Sequence, residues 1–168
     1  MPSVPSDELR RLARKYDALA ALRRARAGGA PAAEAAALKT LARAFPGCLN
    51  ELDTLPLEAI EARASALVEA ATGGPVEPWM EWMSGYHALM RAALRIKPRV
   101  GRGEALDDDR AEALAREASC ADVDAAFVRA VADPPGGRLV AVVLARLAST
   151  HGCPAATIKR ALFPAARR

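Results

Sequence analysis

Few of the histidines, thiols and clustered carboxylates in this chain stand at spacings that chemistry requires. His87 follows Tyr86 closely behind Trp79 and Trp82. Two indoles, a phenol and an imidazole within three helical turns can line a small-molecule pocket or form a docking surface, and an imidazole there can hold a ligand or move a proton. The same residue types also suit a plain core helix. Cys153 precedes Pro154 at a helix start, with His151 two residues before it. This is a setting in which a thiol becomes reactive, so Cys153 is a candidate reactive thiol. His151 and Cys153 do not make a zinc site, because tetrahedral zinc needs further ligands and only the distant Cys48, Cys120 and His87 could supply them. Asp107, Asp108 and Asp109 stand in a row. On a helix they would diverge by about 100° per residue, so they fit a helix start rather than a cation cage. His-Glu-x-x-His, Cys-x-x-Cys, Gly-x-Ser-x-Gly and Walker loops do not occur. No catalytic residue, metal or cofactor is therefore assigned.

The most specific spacing lies near the C-terminus. The stretch from Leu144 to Phe163, Leu-Ala-Arg-Leu-Ala-Ser-Thr-His-Gly-Cys-Pro-Ala-Ala-Thr-Ile-Lys-Arg-Ala-Leu-Phe, resembles a helix-turn-helix. Ala148 stands where a small residue lets two helices cross, and Gly152 where the turn needs positive φ. Ile158 stands where the second helix packs back on the first. His151 departs from the pattern, occupying a place where an aliphatic residue is usual. The resemblance implies that Ala155, Ala156 and Thr157 face the bases of a duplex, while Lys159, Arg160, Arg167 and Arg168 reach phosphates. From Pro134 onward there are six basic residues, the others being Arg138 and Arg146, and no acidic one. That bias favours a polyanion.

The elements that must position these groups are helical. The chain has 168 residues, 52% hydrophobic, 26% charged and only 4% aromatic, with alanine prominent and β-branched runs scarce. Such a composition favours helices packed through small side chains. The net charge of +4 is modest. Cys48, Cys120 and Cys153 are odd in number and widely spaced, which is no disulfide framework. The N-terminus has neither a basic nor an apolar export region, and the most apolar run, Leu139 to Ala148, is too short for a bilayer. The expectation is a cytoplasmic protein without a membrane contact.

In chain order, Ser6 is read as the cap of a first helix burying Leu9, Leu12, Tyr16, Leu19 and Ala20, with Lys15 outside that stripe. Gly28-Gly29 ends it, and Pro31 opens a second helix that runs to about Ala44 and buries Leu38, Leu41 and Ala42. Leu49, Leu52 and Leu55 suggest a short turn. A third helix, after Pro56, repeats Leu57, Ile60, Ala64, Leu67 and Val68 at helical spacing and stops at Gly73-Gly74. Pro78 opens the aromatic helix, whose stripe is Trp79, Trp82, Met83, Tyr86, Met90, Ala93 and Leu94; Pro98 closes it. Arg95, Lys97, Arg99 and Arg102 make the following stretch a basic linker. Ser119 with Asp122 resembles a capping box before Val123, Phe127 and Val131. Asp133 to Gly137 breaks the chain before the apolar helix from Leu139, and Pro154 opens the last.

The fold expected is all-α: one helical domain over 1–168, a single orthogonal bundle of about seven helices centred on 78–97, with any seam at 98–106. The leading function is a non-enzymatic helical binding or interaction module, meeting a protein partner or small ligand through Trp79, Trp82, Tyr86 and His87. A DNA-binding regulator using 144–163 is the alternative. A small-molecule-binding protein or enzyme with a pocket near His87 is the second alternative.

Overall fold

Proline and glycine punctuation sets the helix boundaries in the computed structural model, which describes residues 4–46, 55–100 and 106–164. The eight α-helices among these residues are α1 (Ser6–Ala27), α2 (Pro31–Ala44), α3 (Leu57–Ala71), α4 (Pro78–Ile96), α5 (Asp108–Glu117), α6 (Ala125–Ala132), α7 (Leu139–His151) and α8 (Ala155–Leu162). The described residues contain no strand, so the fold is all-α. Short 3-10 turns at Lys97–Arg99 and Pro135–Gly137 follow α4 and precede α7. The expected turn after Cys48 and the linker residue Arg102 lie outside the described residues, as do Arg167 and Arg168. By contacts the chain divides into two compact units, 1–84 with 160–168, and 85–159.

In the first unit α1 packs against both α2 and α3. Its core row, Leu9, Leu12, Tyr16, Leu19 and Ala20, is buried as expected. Two corrections apply to α1. Pro5, not Ser6, occupies the cap position, and no side chain caps this end. Lys15, expected outside the stripe, is 0% exposed. The cause is spacing: Leu12, Lys15, Leu19 and Leu22 recur three and four apart, so Lys15 falls on a buried row. On α2 the buried residues are Ala37 and Leu41, and Ala42 is exposed. On α3, Ile60 and Leu67 are buried but Val68 is 51% exposed.

Along α4 the buried side chains are first Met80, Met83, Tyr86, His87 and Met90, then Leu89, Ala92, Ala93 and Ile96. At about 100° per residue these two sets lie on different arcs, so the buried face turns around the helix axis. A single stripe therefore mislocates Leu94, which is 39% exposed. Trp79 is on the first arc and Trp82 at the edge of the second, and both are only half-buried. Helical side chains lean toward the N-terminus, and these two stand at the N-terminal end, where little of α4 lies beyond them.

In the second unit, Asp107 caps α5 by accepting the Arg110 backbone N–H at 2.7 Å, and Asp108 and Asp109 fill the first turn. The aspartate row thus serves a helix start, as its spacing indicates. The cap of α6 is not Ser119 with Asp122 but Asp124, whose Oδ1 accepts the Phe127 N–H at 2.8 Å. Ser119 has φ 51° and turns the chain after α5, which moves the start of α6 downstream. Lys97 Nζ donates to the carbonyls of Val131 and Ala132, both at 3.3 Å, covering the C-terminal end of α6. A Cβ on Gly85 would come within 2.9 Å of Leu147 Cδ2, so the missing side chain lets Leu147 of α7 lie close against α4.

Candidate functional site

The segment resembling a helix-turn-helix is built from α7, a three-residue turn and α8. Gly152 ends α7 with φ 61° and ψ 34°, the left-handed conformation that L side chains adopt at a cost. The Cys153 N–H donates back to the Ala148 carbonyl at 3.2 Å, closing the end of α7. The Pro154 carbonyl then accepts from Thr157 at 3.0 Å and Ile158 at 3.3 Å and opens α8. Between α7 and α8 the chain changes direction by 113°. This falls within the roughly 90–120° of helix-turn-helix pairs. Leu147 is 1% exposed, and Ile158 and Leu162 are 0% exposed, so the inward rows of both helices are buried.

The outward side of α8 carries Ala156, Lys159 and Arg160, all exposed, with Ala155 and Thr157 half-buried beside them. Pro154 and Ala156 leave the first turn low and open to approach. His151 is exposed at the end of α7, which explains why an aliphatic residue is not required there.

Arg146 is not part of this basic face. Its guanidinium reaches both carboxylate oxygens of Asp124, at 2.8 and 2.9 Å, and lies 5.8 Å from the centre of the Phe127 ring. The hydrogen bonds from Arg146, reinforced by the Phe127 N–H, hold the Asp124 carboxyl below the usual carboxylate range. Arg146 therefore serves to join α7 to the start of α6.

The aromatic group on α4 is divided. Tyr86 and His87 are 0% and 1% exposed, with their rings edge-to-face at 5.4 Å. Trp79 reaches the surface, its indole N–H donating to Glu77 at 2.8 Å. The Tyr16 ring meets it edge-on at 6.3 Å, and the Arg63 guanidinium stacks 4.8 Å from its centre. Arg63 also donates to the Tyr16 hydroxyl at 2.9 Å and to the Ala161 carbonyl. Trp82 is half-buried on the next turn. Of the four residues singled out in the sequence, only the two indoles offer surface to a partner.

Sequence reasoning did not identify the polar contact between Lys15 and Met83. Lys15 Nζ donates to Met83 Sδ at 3.2 Å and lies 5.1 Å from the centre of the Tyr16 ring. The signal that could have found it is the row Leu12, Lys15, Leu19, Leu22. Cys153 is a half-buried free thiol, as is Cys120. Among the described residues no three histidine, cysteine or acidic side chains converge on a point that could hold a metal.

No single helix among the described residues is long and apolar enough to cross a membrane. No protein-family model, curated protein or solved structure matches this chain.

Proposed function

We propose that the protein is a non-enzymatic binding module that docks on duplex nucleic acid through the α7–turn–α8 pair. The observation that carries this reading is the turn itself. A left-handed Gly152, a 113° change of direction and a buried Ile158 reproduce the local construction of a helix-turn-helix. Around that construction, residues 134–164 include no carboxylate side chain, while Lys159 and Arg160 are exposed. Phosphates meet Lys159 and Arg160, with Arg167 and Arg168 adding charge beyond α8. Ala155, Ala156 and Thr157 approach the base edges and offer three methyl groups and a hydroxyl. They offer no bidentate hydrogen bond, so sequence preference is weak and affinity is mainly electrostatic. The test is fluorescence anisotropy of a labelled duplex of about 20 base pairs, titrated at about 50 mM salt. Saturable binding supports the reading, and a flat titration contradicts it.

A second reading is favoured by the half-exposure of Trp79 and Trp82. Indoles at a surface are frequent anchors of protein interfaces, so this end of α4 is the candidate for a protein partner.

A further inference from the structure

The last turn of α8 is held from outside the helix. The final four carbonyls of an α-helix have no partner within it. For Ala161 the chain offers none three residues on, because Pro164 has no N–H. The Arg63 guanidinium, 98 residues away on α3, donates to the Ala161 carbonyl instead. A cation there also meets the negative end of the helix dipole. With eight residues, α8 is too short to be stable by its own hydrogen bonds, so what holds its ends decides how firmly it is formed.

The same guanidinium is committed twice more. It donates to the Tyr16 hydroxyl at 2.9 Å, and it lies 4.8 Å from the centre of the Trp79 ring and 5.7 Å from that of Tyr16. Among the described residues no carboxylate pairs with it. Its place therefore depends on one hydroxyl, one carbonyl and two rings. Tyr16 is 0% exposed and supplies the fixed side of this arrangement, and half-buried Trp79 completes it from the surface. Tyr16, Arg63, Trp79 and Ala161 all belong to the first compact unit.

We infer that Arg63 is the positioning residue of α8 and that Trp79 keeps it in place. This role rests on the nucleic-acid reading: with its last turn anchored, α8 presents Ala155, Ala156 and Thr157 in one orientation. Both terminal nitrogens of Arg63 are turned to Tyr16 and Ala161, so it contributes orientation rather than a phosphate contact. A guanidinium donates in two directions from one plane while that plane rests on an indole. A lysine ammonium, a point charge on a flexible stem, does not reproduce that fork.

The experiment measures two quantities for Arg63→Gln, Arg63→Lys, Trp79→Phe and Trp79→Ala. One is amide hydrogen exchange along the ¹⁵N-labelled full chain; the other is affinity for a labelled duplex of about 20 base pairs as salt is raised. Ile60→Val, a small cut in the buried face of α3, is the control for a general loss of stability. Arg63→Gln is expected to speed exchange at Ala161 and Leu162 about tenfold more than at Leu12 and Leu19 of α1, whereas Ile60→Val speeds both groups alike. Duplex affinity of Arg63→Gln should fall about threefold to tenfold with the salt slope unchanged, unlike the loss of a phosphate contact. Arg63→Lys keeps the charge and should still resemble Arg63→Gln. Trp79→Ala should speed exchange at Ala161 in the same selective way, while Trp79→Phe, which keeps a ring face, should stay near the parent.

Exchange at Ala161 and Leu162 that rises no more than in α1 would overturn the proposal, as would an Arg63→Lys variant that behaves as the parent. A shallower salt slope for Arg63→Gln would overturn it by making that residue a phosphate contact. Parent-like exchange in Trp79→Ala would overturn the part given to the indole, and that variant decides the matter if Arg63→Gln does not fold. A parent chain that binds no duplex contradicts the nucleic-acid reading, and the exchange comparison then still decides whether Arg63 holds α8.

Discussion

Asp124 binds Arg146 through both carboxylate oxygens while one of those oxygens also accepts the Phe127 N–H. One carboxylate thus starts α6 and ties it to α7, the helix that presents α8. The cost of this arrangement is that the basic side chain in the middle of α7 is committed to the protein's own structure. Among the described residues, Arg138 at the start of α7 and Lys159 and Arg160 on α8 are the exposed basic side chains of this stretch.

Asp124 makes the second unit sensitive to acid. Its folded carboxyl titrates below its ordinary value because Arg146 and the Phe127 N–H favour the charged form. The stability it adds is therefore fully present above the ordinary carboxylate range and is lost as pH falls through the lower, folded value. Asp124→Ala should cost about 1–2 kcal/mol near neutral pH, most of it from the lost cap, since a pair this exposed contributes little. The difference between variant and parent in urea melts should narrow as the pH falls through the lowered, folded value of the carboxyl. A difference that persists unchanged in acid would contradict this account of the carboxylate.

Lys15 should behave as a core residue rather than a surface cation. Lys15→Ala removes a long buried stem and should cost about 2–4 kcal/mol. Lys15→Met keeps the stem beside Met83 and should cost less than about 1.5 kcal/mol, because replacing a buried charged group by an apolar one of like volume is often nearly neutral. Denaturant melts of both variants separate the packing role from the charge. A Met variant as damaged as the Ala variant would show that the ammonium itself is required.

Arg63 should matter more to stability than Trp82. It reaches the Tyr16 hydroxyl, the Trp79 face and the Ala161 carbonyl together, whereas Trp82 keeps part of its ring in water. Arg63→Ala is expected to cost about 2–3 kcal/mol and Trp82→Ala about 1–2 kcal/mol. The same half-burial predicts that acrylamide quenches the native tryptophan fluorescence appreciably. Full protection of the fluorescence would place both indoles inside the core.

Helix identity was legible because this chain punctuates clearly: Pro31 and Pro78 stand in first turns, and Gly28 and Gly152 follow last turns. The left-handed Gly152 could be read from the resemblance of Leu144 to Phe163 to a helix-turn-helix. Burial was harder wherever one stripe was assumed to serve a whole helix. On α4 the buried arc rotates, which displaces Leu94, and the two largest rings sit at an end where a helical wheel carries no information about depth. Lys15 follows its spacing rather than its charge, lying on the buried row with Leu12, Leu19 and Leu22. The Asp124–Arg146 pair joins residues on different elements, and no local pattern announces such a contact.

The central claim is tested most directly by the salt dependence of duplex binding, measured by anisotropy for the parent chain and for Lys159→Ala with Arg160→Ala. Each phosphate contact contributes about 0.9 to the slope of log affinity against log salt. The parent should bind at low salt and weaken steeply as salt rises. The double variant should bind less tightly, with a slope shallower by up to about 1.8, and should retain its fold, since both side chains are exposed. Equal affinity and equal slope for the two proteins, or no duplex binding by either at low salt, would contradict the assignment of α7 and α8 as a nucleic-acid-binding pair.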